Sequence, residues 1–265
     1  MHVAQLSDLH LVPPPGRLYG RVDTAGALAT ALARLLALRP LPDLLLLSGD
    51  LVDRGAPEDY AYLARCLAPL PLPYHLMPGN HDTREALMAA FPDQAWVRPR
   101  CHQRVDTPSG VLLLLDTVVP GEEGGQVDQD SLAWLEAACP AEGRVLLFMH
   151  HPPFAIGIPG MDAIACRGSE LLAHWLERHP NVEALLCGHV HRSVSTTFAG
   201  RPALTAPAPA HQIALDFTAP PQDLAYTLEP GGFLLHLWQP GAPLLTHLVP
   251  CQAAPVRRYA DLARQ

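Results

Sequence analysis

Leu44-Leu45-Leu46-Leu47-Ser48-Gly49-Asp50-Leu51-Val52-Asp53 is the stretch that decides the fold. A short apolar run with no polar alternation reads as a strand buried on both faces, as in a layered α/β domain. It stops at a glycine followed by a carboxylate. Four other runs end the same way. Val3 to Ser7 leads into Asp8-Leu9-His10, and His75 to Pro78 leads into Gly79-Asn80-His81-Asp82. Val145 to Met149 leads into His150-His151, and Ala184 to Cys187 into Gly188-His189-Val190-His191. Open α/β sheets place ligands beyond the carboxyl ends of their strands, so five such endings are expected to converge on one rim.

The residue types point to metal chemistry. Asp8 and His10 lie two apart, so one extended turn can aim both inward, and His189 and His191 repeat the device. Carboxylate, imidazole and amide donors suit borderline divalent ions such as Mn, Fe, Co or Zn. The absence of thiolate donors disfavours a structural zinc knot. Asp50 is the best bridging carboxylate, because Gly49 lets backbone approach closely. Two ions about 3.5–4 Å apart can clamp a phosphoryl group and generate hydroxide at neutral pH. Two divalent ions, two carboxylates (Asp8 and Asp50) and one hydroxide leave a net charge of about +1, which balances a phosphodiester monoanion. A monoester dianion usually recruits an added arginine or lysine. The motifs offer no obvious one, although Arg54 and Arg192 adjoin them.

Composition narrows the class. The 265 residues are 49% hydrophobic, enough for one large α/β domain with a substantial core. A formal charge of −8 opposes binding to a nucleic acid polymer. All 18 basic residues are arginine, which excludes a Schiff-base or P-loop lysine. No run of about 18 uncharged apolar residues suggests a membrane span. The N-terminal strand begins without a basic or hydrophobic leader, which favours the cytoplasm. Six cysteines without CxxC spacing read as free thiols.

Around the motifs, strand-like and helix-like segments alternate over the first two thirds. Asp23 or Thr24 is expected to cap a helix with Leu28, Ala31, Leu32, Leu35 and Leu36 on its buried stripe. Further helices are expected over about 58–67, 128–138 and 168–177. After His191, short strands over 193–198, 202–205, 211–217, 232–238 and 244–249 suggest a second, more antiparallel sheet.

The order D-x-H, G-D-x-x-D, G-N-H-D, H, G-H-x-H resembles the calcineurin-like metallophosphoesterases. Leu18-Tyr19-Gly20, His150-His151-Pro152-Pro153 and Gly160-Met161-Asp162-Ala163-Ile164 are similar to class III cyclic nucleotide phosphodiesterases. The spacing is especially similar to their glycerophosphodiesterase branch. The likeness covers about residues 1–215. It implies a four-layer αββα sandwich of two mixed sheets flanked by helices. A single domain would span 1–250, with a loop or insertion at about 218–230 and a peripheral tail at 251–265. Asp8, His10, Asp50 and His191 would hold one metal, and Asp50, Asn80, His150 and His189 the other. A metal-bridging hydroxide would attack 3′,5′-cyclic nucleotides (cyclic AMP or cyclic GMP), or alternatively glycerophosphodiesters.

His81 would act on the phosphoryl oxygens or the leaving group. Asn80, His81, His211 and Tyr19 would contact substrate. Asp53 and Asp82 would orient ligands, with plain capping as the alternative. The strand end favours His150 over His151 as the ligand, leaving His151 behind it. Arg54 stands where that branch carries a cysteine for an intersubunit disulfide, so a homodimer or larger assembly would be noncovalent. A nuclease, or a scaffold with a decayed metal site, are the competing functions. The first is opposed by acidic charge and the second by a complete ligand set.

Overall fold

A computed structural model describes residues 1–259. The elements in chain order are β1 (His2–Leu6), α1 (Thr24–Leu36), β2 (Leu44–Ser48), α2 (Pro57–Leu67), β3 (Tyr74–Met77) and α3 (Arg84–Ala90). Next come β4 (Gln103–Thr107), β5 (Gly110–Leu115), α4 (Gln129–Ala138), β6 (Val145–Met149), α5 (Pro159–Asp162), α6 (Ser169–Arg178) and β7 (Val182–Cys187). The last part holds β8 (Val194–Phe198), β9 (Arg201–Thr205), β10 (Gln212–Ile213), β11 (Tyr226–Thr227), β12 (Gly232–Leu237) and β13 (Leu245–Pro250).

Two mixed sheets carry the architecture. One runs β13-β12-β1-β2-β3 and the other β4-β5-β6-β7-β9-β8. In the first, β1, β2 and β3 are parallel, with β12 antiparallel to β1. In the second, β5, β6, β7 and β9 are parallel, with β4 and β8 as antiparallel edges.

The polarity of β2 explains the layering. Leu44 and Leu46 join Val3, Leu112, Leu146 and Leu186 in a core between the sheets. Leu45 and Leu47 face the other way, with Leu28, Leu35 and Leu63 of α1 and α2. Alternate side chains of a strand point to opposite faces, so a strand buried on both must be apolar throughout. Leu113, Leu115 and Leu147 likewise pack on Leu135, Leu172 and Trp175 of α4 and α6. The result is helices, sheet, sheet, helices.

Local signals place the helices. The Asp23 carboxylate accepts from the Gly26 amide and caps α1, whereas the Thr24 hydroxyl serves the Val12 amide. Leu28, Ala31, Leu32 and Leu35 are buried as the stripe requires, and Leu36 is partly buried.

The late strands differ from the sequence expectation. Apart from a small two-stranded antiparallel sheet of β10 and β11, they do not build a sheet of their own. β8 and β9 extend one sheet and β12 and β13 the other, because both parallel cores have an edge that needs covering. Of 211–217 only Gln212 and Ile213 are strand, and they pair with β11. The segment 218–230 is therefore tied into the domain by β11 and a 3₁₀ turn at Pro221–Asp223. In the tail, Cys251 is buried and the residues from 252 to 259 are exposed. The rest of the expected tail, 260–265, lies outside the described residues.

Candidate metal centre

Five turns converge where the two sheets meet. The strands β1, β2 and β3 deliver Asp8, His10, Asp50, Asn80 and His81, and β6 and β7 deliver His150, His189 and His191. The endings converge on one rim as expected, and that rim is built from two facing sheets rather than one open sheet. The turns interlock through backbone. The Asp8 amide donates to the Gly49 carbonyl and the His10 amide to the Asp50 carbonyl.

These turns adopt unusual backbone. Asp8, His10, Asp50, His189 and His191 have φ of 56°, 41°, 48°, 70° and 51°. Left-handed conformations are uncommon outside glycine and cost free energy. Five in one place mark a site whose geometry is held by its surroundings. Close approach is equally strict. A Cβ at Gly79 would fall onto the Asp50 carboxylate and His150 Nε2, and one at Gly49 onto His150 Nδ1.

Two donor groups share one carboxylate. Asp8, His10, Asp50 and His191 present atoms within 4.8 Å of one another. Asp50 Oδ2 stands 3.4 Å from His10 Nε2 on one side and 3.4 Å from His150 Nε2 on the other. Its second oxygen is anchored by the His81 amide. Asp8 Oδ1 similarly accepts from the His189 amide, and Oδ2 has no partner.

The imidazoles are aimed from behind. His150 Nδ1 donates to the Ser48 carbonyl at 2.8 Å, so its Nε2 points inward and is unpartnered. His10 Nδ1 faces Asp53 at 3.4 Å, and its Nε2 lies 3.0 Å from His191 Nε2. His189 Nε2 donates to the Ile164 carbonyl, and its Nδ1 meets Asn80 Oδ1 at 3.1 Å. Buried acceptors that face one another without a proton between them are costly unless a cation intervenes. Their chemistry fits a pair of divalent ions.

His151 divides from His150 here. Its Nδ1 pairs with the Thr117 hydroxyl and its Nε2 with the Glu123 carbonyl, so both nitrogens are spent on protein. Asp82 is committed as well. It accepts from the Leu51 and Gly79 amides and the Tyr60 hydroxyl, locking two turns together.

Burial and the carboxylates act in opposite directions: burial opposes protonation, but Asp50 and Asp8 raise His150 to about 9, and Asp53, Asp50 and Asp8 raise His10. Burial opposes ionisation of Asp50, but His150, His10 and His81 hold its carboxyl well below the usual range. Burial raises Asp8 to about 6. Burial, then His150, lowers His189 to about 3, and burial with His10 and His211 keeps His191 well below its ordinary value. Neutral imidazole is the ligating form.

A cleft of about 290 Å³ opens over these groups. Its walls include His81, His211 and Tyr19, all anticipated from sequence, together with Glu123, Met161 and Ile164. His81 Nδ1 donates to the Asp53 carbonyl at 2.9 Å, which turns Nε2 toward the cleft. His211 lies 4.6 Å from His191, ring to ring. Sequence reasoning missed Leu224, Ala225 and Tyr226, which also line the cleft. They sit in the stretch read as an insertion, and the alternation Leu224-Ala225-Tyr226-Thr227 was its one available strand signal.

Comparison with known proteins agrees with this geometry. The family model for calcineurin-like phosphoesterases matches residues 1–193. The chain is 35% identical over 253 residues to a probable glycerophosphodiester phosphodiesterase, GpdQ, of Arcobacter nitrofigilis, covering 93% of this chain and 92% of that one. It is 35% identical over 193 residues to the 3′,5′-cyclic adenosine monophosphate phosphodiesterase CpdA of Pseudomonas aeruginosa, covering 72% and 69%. A dimetal phosphatase from Danio rerio shares the fold with a TM-score of 0.67 at 16% identity, over 95% of this chain and 96% of that one. With those donors at the ends of β1, β2, β3, β6 and β7, and a family match over most of the chain, this protein belongs to the calcineurin-like phosphoesterases.

Proposed function

We propose that the chain hydrolyses small phosphodiesters at a two-ion centre, with 3′,5′-cyclic nucleotides as the leading substrates. One observation carries this reading: Asp50 Oδ2 is equidistant from His10 and His150, with unpartnered donors on both sides. Asp8, His10, Asp50 and His191 would hold one ion, and Asp50, Asn80, His150 and His189 the other. Mn, Fe, Zn and Co all suit these donors. When bound, two such ions polarise a phosphoryl group and lower the pKa of attacking water. His81, steered by the Asp53 carbonyl, presents Nε2 where it can stabilise a phosphoryl oxygen or protonate the departing alkoxide. Asn80 and His211 would meet the same substrate, and Asp53 and Asp82 would keep the turns aligned.

The surroundings favour a monoanion. Among the described residues, no arginine lines the cleft. Arg54 is paired with Asp59, and Arg192 with Glu229 and the Ile213 carbonyl. A dianionic monoester therefore lacks the clamp it needs. Similarity over 92% of a GpdQ-named relative favours a second reading, glycerophosphodiesters. The acidic chain disfavours nucleic acid polymers. Six free cysteines suit the cytoplasm, and no helix among the described residues is long and apolar enough to cross a membrane. A noncovalent homodimer or larger assembly completes the reading.

A substrate panel tests it. Mn-loaded protein is expected to turn over cyclic AMP, cyclic GMP or glycerophosphoethanolamine at least tenfold faster than p-nitrophenyl phosphate. Preference for the monoester would overturn the proposal.

A further inference from the structure

The two ends of the cleft differ in chemistry. At the end beside His10 and His191, the rings of Tyr19 and Tyr226 lie 5.1 Å apart at 37°. Both stand edge-on to His211, at 6.0 and 5.7 Å. At the other end, the Glu123 backbone is held by His151, whose ring lies 4.6 Å from that of His189. A diester lying across both donor groups would send one ester arm to each end.

The tyrosine pair is not ordinary packing. Tyr19 is 58% exposed and Tyr226 38%, so ring surface stays open toward the cleft. Tyr19 also holds φ at 52°, a conformation that an aromatic residue adopts at a cost. It is fixed there by the bridge between Leu18 and Val22. Tyr226 is set by pairing of β11 with β10, and Arg192 braces that pair through Glu229 and the Ile213 carbonyl. Strain and bracing spent on two exposed rings indicate a ligand surface. The separation leaves no room to insert a ring between them, so a planar group would stack on the outer face of one ring while the other supports it from behind.

We propose that Tyr226, with Tyr19, is a specificity-determining stacking platform for a planar ring on one ester arm of the substrate, a nucleobase in the cyclic-nucleotide reading. This rests on the proposed diesterase function for its substrate, though not for its binding test. Each base–aromatic stack accounts for roughly tenfold in affinity, and tolerates any base because every base has a π-face. A glycerol arm has no face to offer, so the platform discriminates between the two candidate substrate classes.

The test compares wild type, Tyr226→Ala and Tyr226→Phe, all Mn-loaded. Titration calorimetry with 5′-AMP and with glycerol 3-phosphate reads binding, and kcat/KM for cyclic AMP against glycerophosphoethanolamine reads catalysis. Wild type is expected to bind 5′-AMP about tenfold more tightly than glycerol 3-phosphate. Tyr226→Ala is expected to erase that preference and to lower the cyclic AMP to glycerophosphoethanolamine ratio about tenfold, while Tyr226→Phe keeps both. No preference in wild type, or one unchanged in Tyr226→Ala, would overturn the platform. A preference that vanishes in Tyr226→Ala without hydrolysis of any diester would leave the platform standing and remove the diesterase reading instead.

Discussion

His189 Nδ1 and Asn80 Oδ1 stand 3.1 Å apart, while His189 Nε2 is already committed to the Ile164 carbonyl. The nitrogen that faces Asn80 therefore carries a lone pair, and two acceptors meet in a buried site. A cation between them resolves the conflict.

Asn80→Ala is accordingly expected to weaken one ion site and spare the other. Elemental analysis after dialysis should fall from about two ions per chain to about one, because three donors remain for the second site. Unchanged stoichiometry would remove Asn80 from the donor set.

Asp53 acts from behind His10, at 3.4 Å from its Nδ1. Such partners fix the tautomer and orientation of a ligating imidazole, and losing one costs about 10–100-fold in metal affinity or activity. Asp53→Ala should show that loss in a Mn titration of activity. A plain capping carboxylate would leave the titration midpoint where it is.

His81 is half-exposed and free at Nε2. His81→Gln is expected to lower kcat by about 10²–10⁴-fold, the range for a positioned acid–base group, with ion content unchanged. A drop in ion content alongside kcat would recast His81 as a ligand.

Two buried histidines that do not line the cleft contribute to an acid limit of the fold. Burial lowers His102 to about 4 and His236 to about 3. His102 Nδ1 accepts from the Asp116 amide and must be unprotonated to do so. The unfolded chain takes up protons near the ordinary histidine pKa of about 6.5, whereas the folded chain does not. Stability is then complete above about pH 6.5 and falls as pH drops toward the folded values, by up to about 2–3 kcal/mol per histidine at pH 4.5. Urea melts at pH 7.5, 6 and 5 should record the decline, and His102→Asn should remove the share that His102 contributes. A midpoint that stays constant down to pH 5 would contradict the assignment.

The candidate donors were legible because each ends an apolar run, and strand ends are where parallel sheets present chemistry. Asp8, His10, Asp50, Asn80, His150, His189 and His191 all reach the centre. The strand end favoured His150 over His151, but position alone does not show why adjacent histidines differ. Their hydrogen bonds to Ser48, Thr117 and Glu123 distinguish them, and those partners are 28 to 102 residues away in sequence. The late strands were legible as strands, but alternation says nothing about which sheet recruits them. Tyr226 was hidden for a related reason. Its two-residue strand lies among prolines, and its place in the cleft comes from pairing with β10, which no local pattern encodes.

Asp50 is placed to serve both ion sites of one hydrolytic centre. Asp50→Ala and wild type, both reconstituted with Mn, should be compared for hydrolysis of bis-p-nitrophenyl phosphate together with ion content. Wild type is expected to bind about two ions and turn the diester over, and the variant to lose activity by at least about 10³-fold with ion content reduced. Undiminished hydrolysis by Asp50→Ala would contradict it.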